Sequence, residues 1–186
     1  MFNDRYGLTQ AVIEGRKTMT RRLIPDEFFG LTWDTRGNTL VYENEYGDFI
    51  DVRLSKYTRY KVGEIVSVAQ NYSSFYNILD NTRPIPEGAG RDNKMFVRAD
   101  LMPHRIRITG IKCERLQDIQ DADCLKEGVR YIPKINKFYF EGVSREAGFY
   151  FDNHREAFAA LIDKVSGRGT WASNPWVVVY EFELVK

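Results

Sequence analysis

The chain has 186 residues, of which 43% are apolar, enough for a full hydrophobic core in one domain that carries insertions. Its net charge of +1 excludes a polycation that coats nucleic acid through bulk charge alone, and no apolar run is long enough to span a bilayer. Cys113 and Cys124 form no C-x-x-C pair, and His104 and His154 lie far apart, which argues against a disulfide framework and against a metal site.

An aromatic content of 14% leans towards β structure, where flat side chains pack well on a pleated surface. No apolar stretch follows Met1-Phe2-Asn3-Asp4-Arg5, so no secretory leader is expected and the cytoplasm is the expected compartment. Leu8, Ala11 and Val12 fall at helical spacing and Gly15 follows, which predicts a short helix over 8–14 with a glycine cap. Thr18 to Ile24 reads as a strand stopped by Pro25. Residues 31–36 and 39–44 flank Gly37-Asn38 as a hairpin, with a further strand at 48–54. Ile65 to Val68 is a short apolar strand after the Gly63-Glu64 turn. Residues 73–94, with Pro84, Pro86, Gly88 and Gly90, read as a long, mobile surface loop.

Met95 to Arg98 reads as a strand, and Arg105 to Arg115 as a longer one with apolar alternation. Asp121 to Glu127 is expected to be a helix N-capped by Asp121 and ended by Gly128. Asn153 to Val165 is a second helix with Phe158, Leu161 and Ile162 on one face. The last strand, Trp176 to Leu184, has one face apolar along its length, while the other is apolar only at Val177 and Val179. That is the pattern of a strand closing a small barrel. Strands outnumber helices without βαβ alternation, so the fold class is α+β.

The chemistry concentrates in Gly15-Arg16-Lys17-Thr18-Met19-Thr20-Arg21-Arg22, where four cations fall within seven residues. In an extended strand Thr18, Thr20 and Arg22 share one face, and Met19, Arg21 and Leu23 the other. A point-charge lysine, planar arginine forks and threonine hydroxyls together suit a phosphate, a carbonyl oxygen or a base edge. The same spacing also describes an ordinary edge strand with a solvated charged face. Tyr72 and Trp171 are candidate stacking platforms for a base. Glu127 stands in the last turn of its helix, where the macrodipole disfavours an anion, and a residue that breaks a local rule hints at function.

The run Gly-x-Lys-Thr-x-Thr-x-Arg at 15–22 resembles the signature of the ASCH family. Leu8 to Gly15 is similar to that family's leading helix, and Val62-Gly63-Glu64-Ile65 to its Gly-Asp turn and strand. Phe96 to Asp100, Met102-Pro103, Glu114 to Ile119, Ala122 to Val129 and Asn174 to Val177 resemble segments of its longer, phage-associated members. The resemblance skips 25–58 and 73–94, which are read as insertions into one ASCH domain. It implies a PUA-like β-barrel with short peripheral helices and a cleft for RNA or a modified nucleoside, with no cofactor and no membrane partner.

One small member of that family removes the acetyl group from N-acetylcytidine. By resemblance its catalytic lysine, threonine and glutamate correspond to Lys17, Thr20 and Glu127, and a substrate-holding arginine to Arg22. The resemblance and the cation cluster together assign nucleic-acid contacts to Arg16, Lys17, Arg21, Arg22, Tyr72 and Trp171. Protein interaction through the basic strand is a third reading. Val68-Ala69-Gln70-Asn71-Tyr72 departs from the Val-Arg-Glu-Thr-Trp of longer members, lacking a cation and a carboxylate, which implies a different ligand preference.

Overall fold

A computed structural model describes residues 2–24, 30–55, 58–76, 86–142 and 150–185. The architecture is α+β: a curled antiparallel sheet forms half a barrel, with few helices around it. Its strands are β1 (Met19–Leu23), β5 (Ile65–Ser67), β6 (Arg105–Arg115) and β9 (Trp176–Val185), in the order β1-β9-β6-β5. A second sheet of β2 (Thr32–Asp34), β3 (Thr39–Glu43) and β4 (Phe49–Asp51) carries the expected hairpin, and β7 (Arg130–Ile132) pairs with β8 (Lys137–Tyr139). The helices are α1 (Leu8–Ile13), α2 (Asp121–Lys126), α3 (His154–Ser166) and α4 (Thr170–Ser173). Among the described residues no helix is long and apolar enough to cross a membrane.

The alternation in β9 divides the core. Val177 and Val179 join Met19, Leu116 and the Ala157, Phe158, Leu161 and Ile162 face of α3 in one buried cluster. Val178, Tyr180 and Phe182 face the other way and bury against Ile106, Ile108, Leu40 and Val52. Glu181 is exposed, so the first face runs out of apolar cover partway along the strand, as its sequence predicts. A register shift between Ile108 and Gly110 bends β6 against β9, and such a bulge sharpens the local twist that curls a sheet. Gly110 suits the place, because a Cβ there would sit 3.0 Å from a Glu181 carboxylate oxygen.

Several elements differ from the sequence reading, each for a local reason. The 48–54 strand stops at Asp51, whose carboxylate accepts from the Arg53 amide and turns Val52–Leu54 into a 3-10 helix. Residues 95–98 are not a strand. Lys94–Phe96 is a 3-10 turn whose preceding residue, Asn93, accepts from the Met95 amide. The described part of the 73–94 loop is pinned: Ser73 Oγ donates to the Arg91 carbonyl at 2.8 Å, and Gly90 packs so closely on Tyr72 that a Cβ would lie 2.6 Å from its ring. Residues 77–85 of that loop lie outside the described residues. Asp121 does not cap α2. Gln120 holds the cap position, and the Asp121 carboxylate pairs instead with His154 at 2.9 Å.

Gly128 ends α2 at φ 113°, and a Cβ there would stand 2.8 Å from a Leu8 methyl. Replacing Gly128 with Ala should therefore cost about 1–3 kcal/mol in urea unfolding, from the backbone conformation and the collision with α1 together.

Candidate functional site

The site begins at the end of α1. Gly15 adopts φ 71°, its amide bonds the Val12 carbonyl, and the Arg16 amide bonds the Ala11 carbonyl, both at 2.9 Å. This pair of bonds is a Schellman cap. It reverses the chain so that Lys17 turns inward and Thr18 begins pairing: the Thr18 amide donates to the Lys126 carbonyl at 3.0 Å. The first residues of this strand therefore close the open C-terminal end of α2.

Lys17 is 2% exposed and its ammonium spends all three protons internally. It donates to the Met19 carbonyl at 2.7 Å, the Glu127 carbonyl at 2.8 Å and Glu127 Oε2 at 2.6 Å. A cation at a helix C-terminus offsets the macrodipole, which explains why an anion is tolerated there. Glu127 Oε1 accepts from Arg21 Nη1 at 2.9 Å, and Arg21 also grips Glu114 Oε1 through Nε at 2.9 Å and Nη2 at 2.7 Å. Asp123 approaches the same guanidinium at 3.6 Å.

The protonation equilibria follow from this enclosure. Burial pushes the Lys17 ammonium below its ordinary value, and Glu127 only partly opposes it. Burial acts on Arg21 in the same sense, but Glu127 and Glu114 together outweigh it and hold the guanidinium above its usual value. Asp123 is held below its ordinary 3.8: burial would raise it, and the Lys126 hydrogen bond with the charges of Lys126, Lys112 and Arg21 prevails.

Two adjoining cavities meet at β1. The first, of about 240 Å³, is lined by Lys17, Thr20, Arg21, Arg22 and Glu127 on one side and by Phe158, Leu161, Ile162 and Val165 of α3 on the other. The second, of about 310 Å³, lies over the barrel interior and is lined by Arg59, Tyr60, Ser67, Ala69, Tyr180 and Phe182, among others. Phe2, Thr20 and Arg22 belong to both, so they form the divide between the two chambers. The half-buried Thr20 hydroxyl makes no side-chain hydrogen bond among the described residues, which leaves it available to a ligand.

Lys17, Thr20 and Glu127 thus line one cleft, with Arg22 beside them. The other expected contacts are relocated. Arg21, whose side chain is fully buried, is a structural cation and not a surface one, because its odd-numbered strand position turns it onto α2. Arg16 is partly exposed and pairs with Glu14 at 2.6 Å. Tyr72 is no stacking platform: it is buried, and its hydroxyl accepts from the Arg98 amide at 2.9 Å. Trp171 packs edge-on with Phe158 and carries Arg155 over its ring at 5.2 Å, so it belongs to the α3 cluster. Arg59, Tyr60 and Phe2 escaped the sequence reading. The adjacent cation and aromatic at 59–60 is a signal that could have marked the second chamber.

Compared with known protein families, curated proteins and solved structures, the chain matches none of them.

Replacing Arg21 with Met leaves Glu114 and Glu127 each short of a buried partner. The expected cost is about 3–5 kcal/mol in chemical denaturation, the scale for breaking one side of a buried ion pair. The acid limb should report Asp123. Because its folded-state value is depressed, its contribution is full above 3.8 and disappears as pH falls through the lower folded value. Asp123→Asn should flatten the loss of stability in that acid window, measured by unfolding at a series of pH values.

Proposed function

We propose that this chain is an ASCH-type protein with a PUA-like barrel, and that its cleft binds a single modified nucleoside, free or splayed out of RNA. One observation carries this reading: a free threonine hydroxyl and an arginine stand where two cavities meet, above a buried lysine–glutamate pair. Concave sites with apolar walls and a few convergent polar groups suit compact ligands. An extended phosphate-tracking surface is less well supported. Lys17 and Arg21 are committed inside the protein, and Arg16 is engaged by Glu14. A cytoplasmic setting goes with the proposal and suits two buried, unpaired cysteines.

The buried pair also favours a second reading, amide hydrolysis of an N-acylated cytidine. Lys17 is pushed towards its neutral form by burial, and Glu127 stands 2.6 Å away to take the proton. In that reaction one of the Lys17 hydrogen bonds opens and the neutral amine accepts the Thr20 hydroxyl proton as Oγ attacks the acyl carbonyl. The tetrahedral intermediate collapses with protonation of the leaving cytidine amine, and water then hydrolyses the threonyl ester, releasing acetate and restoring the hydroxyl. Arg22 is placed to hold the substrate.

Two measurements separate the readings. Calorimetric titration with modified nucleosides should give binding that Thr20→Val weakens, and if two phosphates of RNA are engaged, the log–log salt slope should be about −1.4, from about −0.7 per contact. Incubation with N-acetylcytidine should release acetate if the chain is an enzyme. Thr20→Ser should then retain more turnover than Thr20→Val, and loss of Lys17 or Glu127 should lower it by about 10²–10⁴-fold. Binding without turnover across several acyl groups leaves the binding reading alone, and absence of both removes it.

A further inference from the structure

The backbone of β1 alternates as strictly as its side chains. The strand lies at the edge of its sheet and pairs on one side only, with β9. In an antiparallel ladder a residue turns its own N–H and C=O to the same side, and successive residues turn to opposite sides. The Thr18 carbonyl accepts from the Phe182 amide at 2.9 Å, and the Ile24 amide donates to the Trp176 carbonyl at 3.1 Å. The even-numbered residues therefore spend their main-chain groups on β9, and Met19, Arg21 and Leu23 direct theirs away from the sheet. The Met19 carbonyl bears this out, since it accepts from Lys17 Nζ at 2.7 Å.

That outward side is the first cavity, which Arg21 and Leu23 both line. The Arg21 side chain is fully buried, yet the residue as a whole is 5% exposed, so what it shows the cavity is main chain. Among the described residues no hydrogen bond reaches the amide or the carbonyl of Arg21 or Leu23. Main-chain polar groups in a partly enclosed place take a partner from water or from a ligand. Each of these two residues offers one donor and one acceptor side by side. Phe2 and the Phe158, Leu161, Ile162 and Val165 side chains of α3 line the same cavity and give a flat ring apolar cover.

We infer that this main-chain edge reads the ligand: the N–H and C=O of Arg21, with those of Leu23 at the mouth, pair with the Watson–Crick edge of one nucleobase. The inference rests on the nucleoside reading above and names the part of the nucleoside that is recognised. Every base carries a donor and an acceptor side by side on that edge, and N-acetylcytidine keeps one N–H beside its ring N3. Bases splayed out of single-stranded RNA are commonly read there. A peptide strand fits the same edge less well, because strand addition uses a run of main-chain bonds. Here the run is short. The Thr18 amide is taken by the Lys126 carbonyl, the Met19 carbonyl by Lys17 and the Ile24 amide by Trp176, and Pro25 has no N–H to give. Two residues facing a cavity of about 240 Å³ suit a single base.

The test uses nucleosides matched in size but altered on that edge. 5-Methyluridine and 3-methyluridine are isomers, and only the second has lost its ring N–H. N-acetylcytidine is compared with its N-methyl derivative, adenosine with N6,N6-dimethyladenosine, and guanosine with 1-methylguanosine. Affinity is measured by calorimetry, and hydrogen exchange of the β1 amides is followed by NMR with each nucleoside. In the series that binds, the member with an intact edge should bind tighter by on the order of tenfold or more, the scale of polar groups left without partners. It should also slow exchange at Arg21 and Leu23 while leaving Thr20 and Arg22, already bonded to β9, unchanged. Equal affinity within every pair, or binding that leaves the Arg21 and Leu23 amides unprotected, overturns the edge reading and keeps the nucleoside reading. A capped alanine–threonine hexapeptide is titrated alongside. Protection of the same two amides by the peptide and by no nucleoside assigns the edge to a protein partner and overturns the inference. No binding by any nucleoside of the panel overturns both the inference and the reading it rests on.

Discussion

Two cations four residues apart, Lys17 and Arg21, are buried and share one carboxylate, Glu127, each bonding a different oxygen. Everything around the cleft depends on this arrangement. Removing an ammonium and a guanidinium from water is costly, and the cost is offset only where geometry is good and remaining polar groups are satisfied. Both conditions hold here. The two carbonyl bonds of Lys17 and the two-nitrogen grip of Arg21 on Glu114 leave little unpaired. The pairing also ties the strand that follows α1 to the end of α2, elements more than a hundred residues apart in the chain.

That tie has a structural and a chemical consequence, and they come from the same atoms. Structurally, it seats the edge strand of the half-barrel against α2 and brings its alternate positions to fixed sides. Met19 and Arg21 face the α3 core, and Thr20 and Arg22 face the divide between the cavities. Chemically, it puts a lysine of lowered proton affinity next to a carboxylate on the wall of a cleft. Buried polar networks that rigidify a site and those that react in it look alike in a resting structure, since both need complete hydrogen bonding. Among the described residues the Thr20 hydroxyl makes no side-chain hydrogen bond, and it lies on the divide between the two cavities.

Much of this frame was legible beforehand because it rests on short-range rules. Gly15 marked the cap that turns Lys17 inward, the two-residue period of β9 assigned Val177 and Val179 to one core and Val178, Tyr180 and Phe182 to the other, and Gly37-Asn38 marked the hairpin. The fate of Arg21 was not legible. A run of four cations looks like a basic surface when its partners, Glu114 and Glu127, lie about a hundred positions away. Tyr72 failed for a similar reason, since whether an aromatic ring faces solvent depends on distant backbone, here Arg98, while Trp171 is only partly covered by its packing on α3. The three-residue strands β7 and β8 are too short for a period to register. Arg59 stands in a stretch without periodicity, and only the fold brings it over the second chamber.

The central claim is that the Lys17–Glu127 pair serves the ligand and is not only a fastening. The double replacement Lys17→Met with Glu127→Leu addresses it directly, because an apolar pair of similar size can substitute for a buried ion pair with little loss of stability. Arg21 retains Glu114 in that protein. The variant's unfolding midpoint and its affinity for the preferred modified nucleoside would be measured on the same preparation. The account predicts a folded protein whose midpoint is close to that of the unmodified chain and whose nucleoside binding is lost. A folded variant that binds the nucleoside as tightly as before would contradict it.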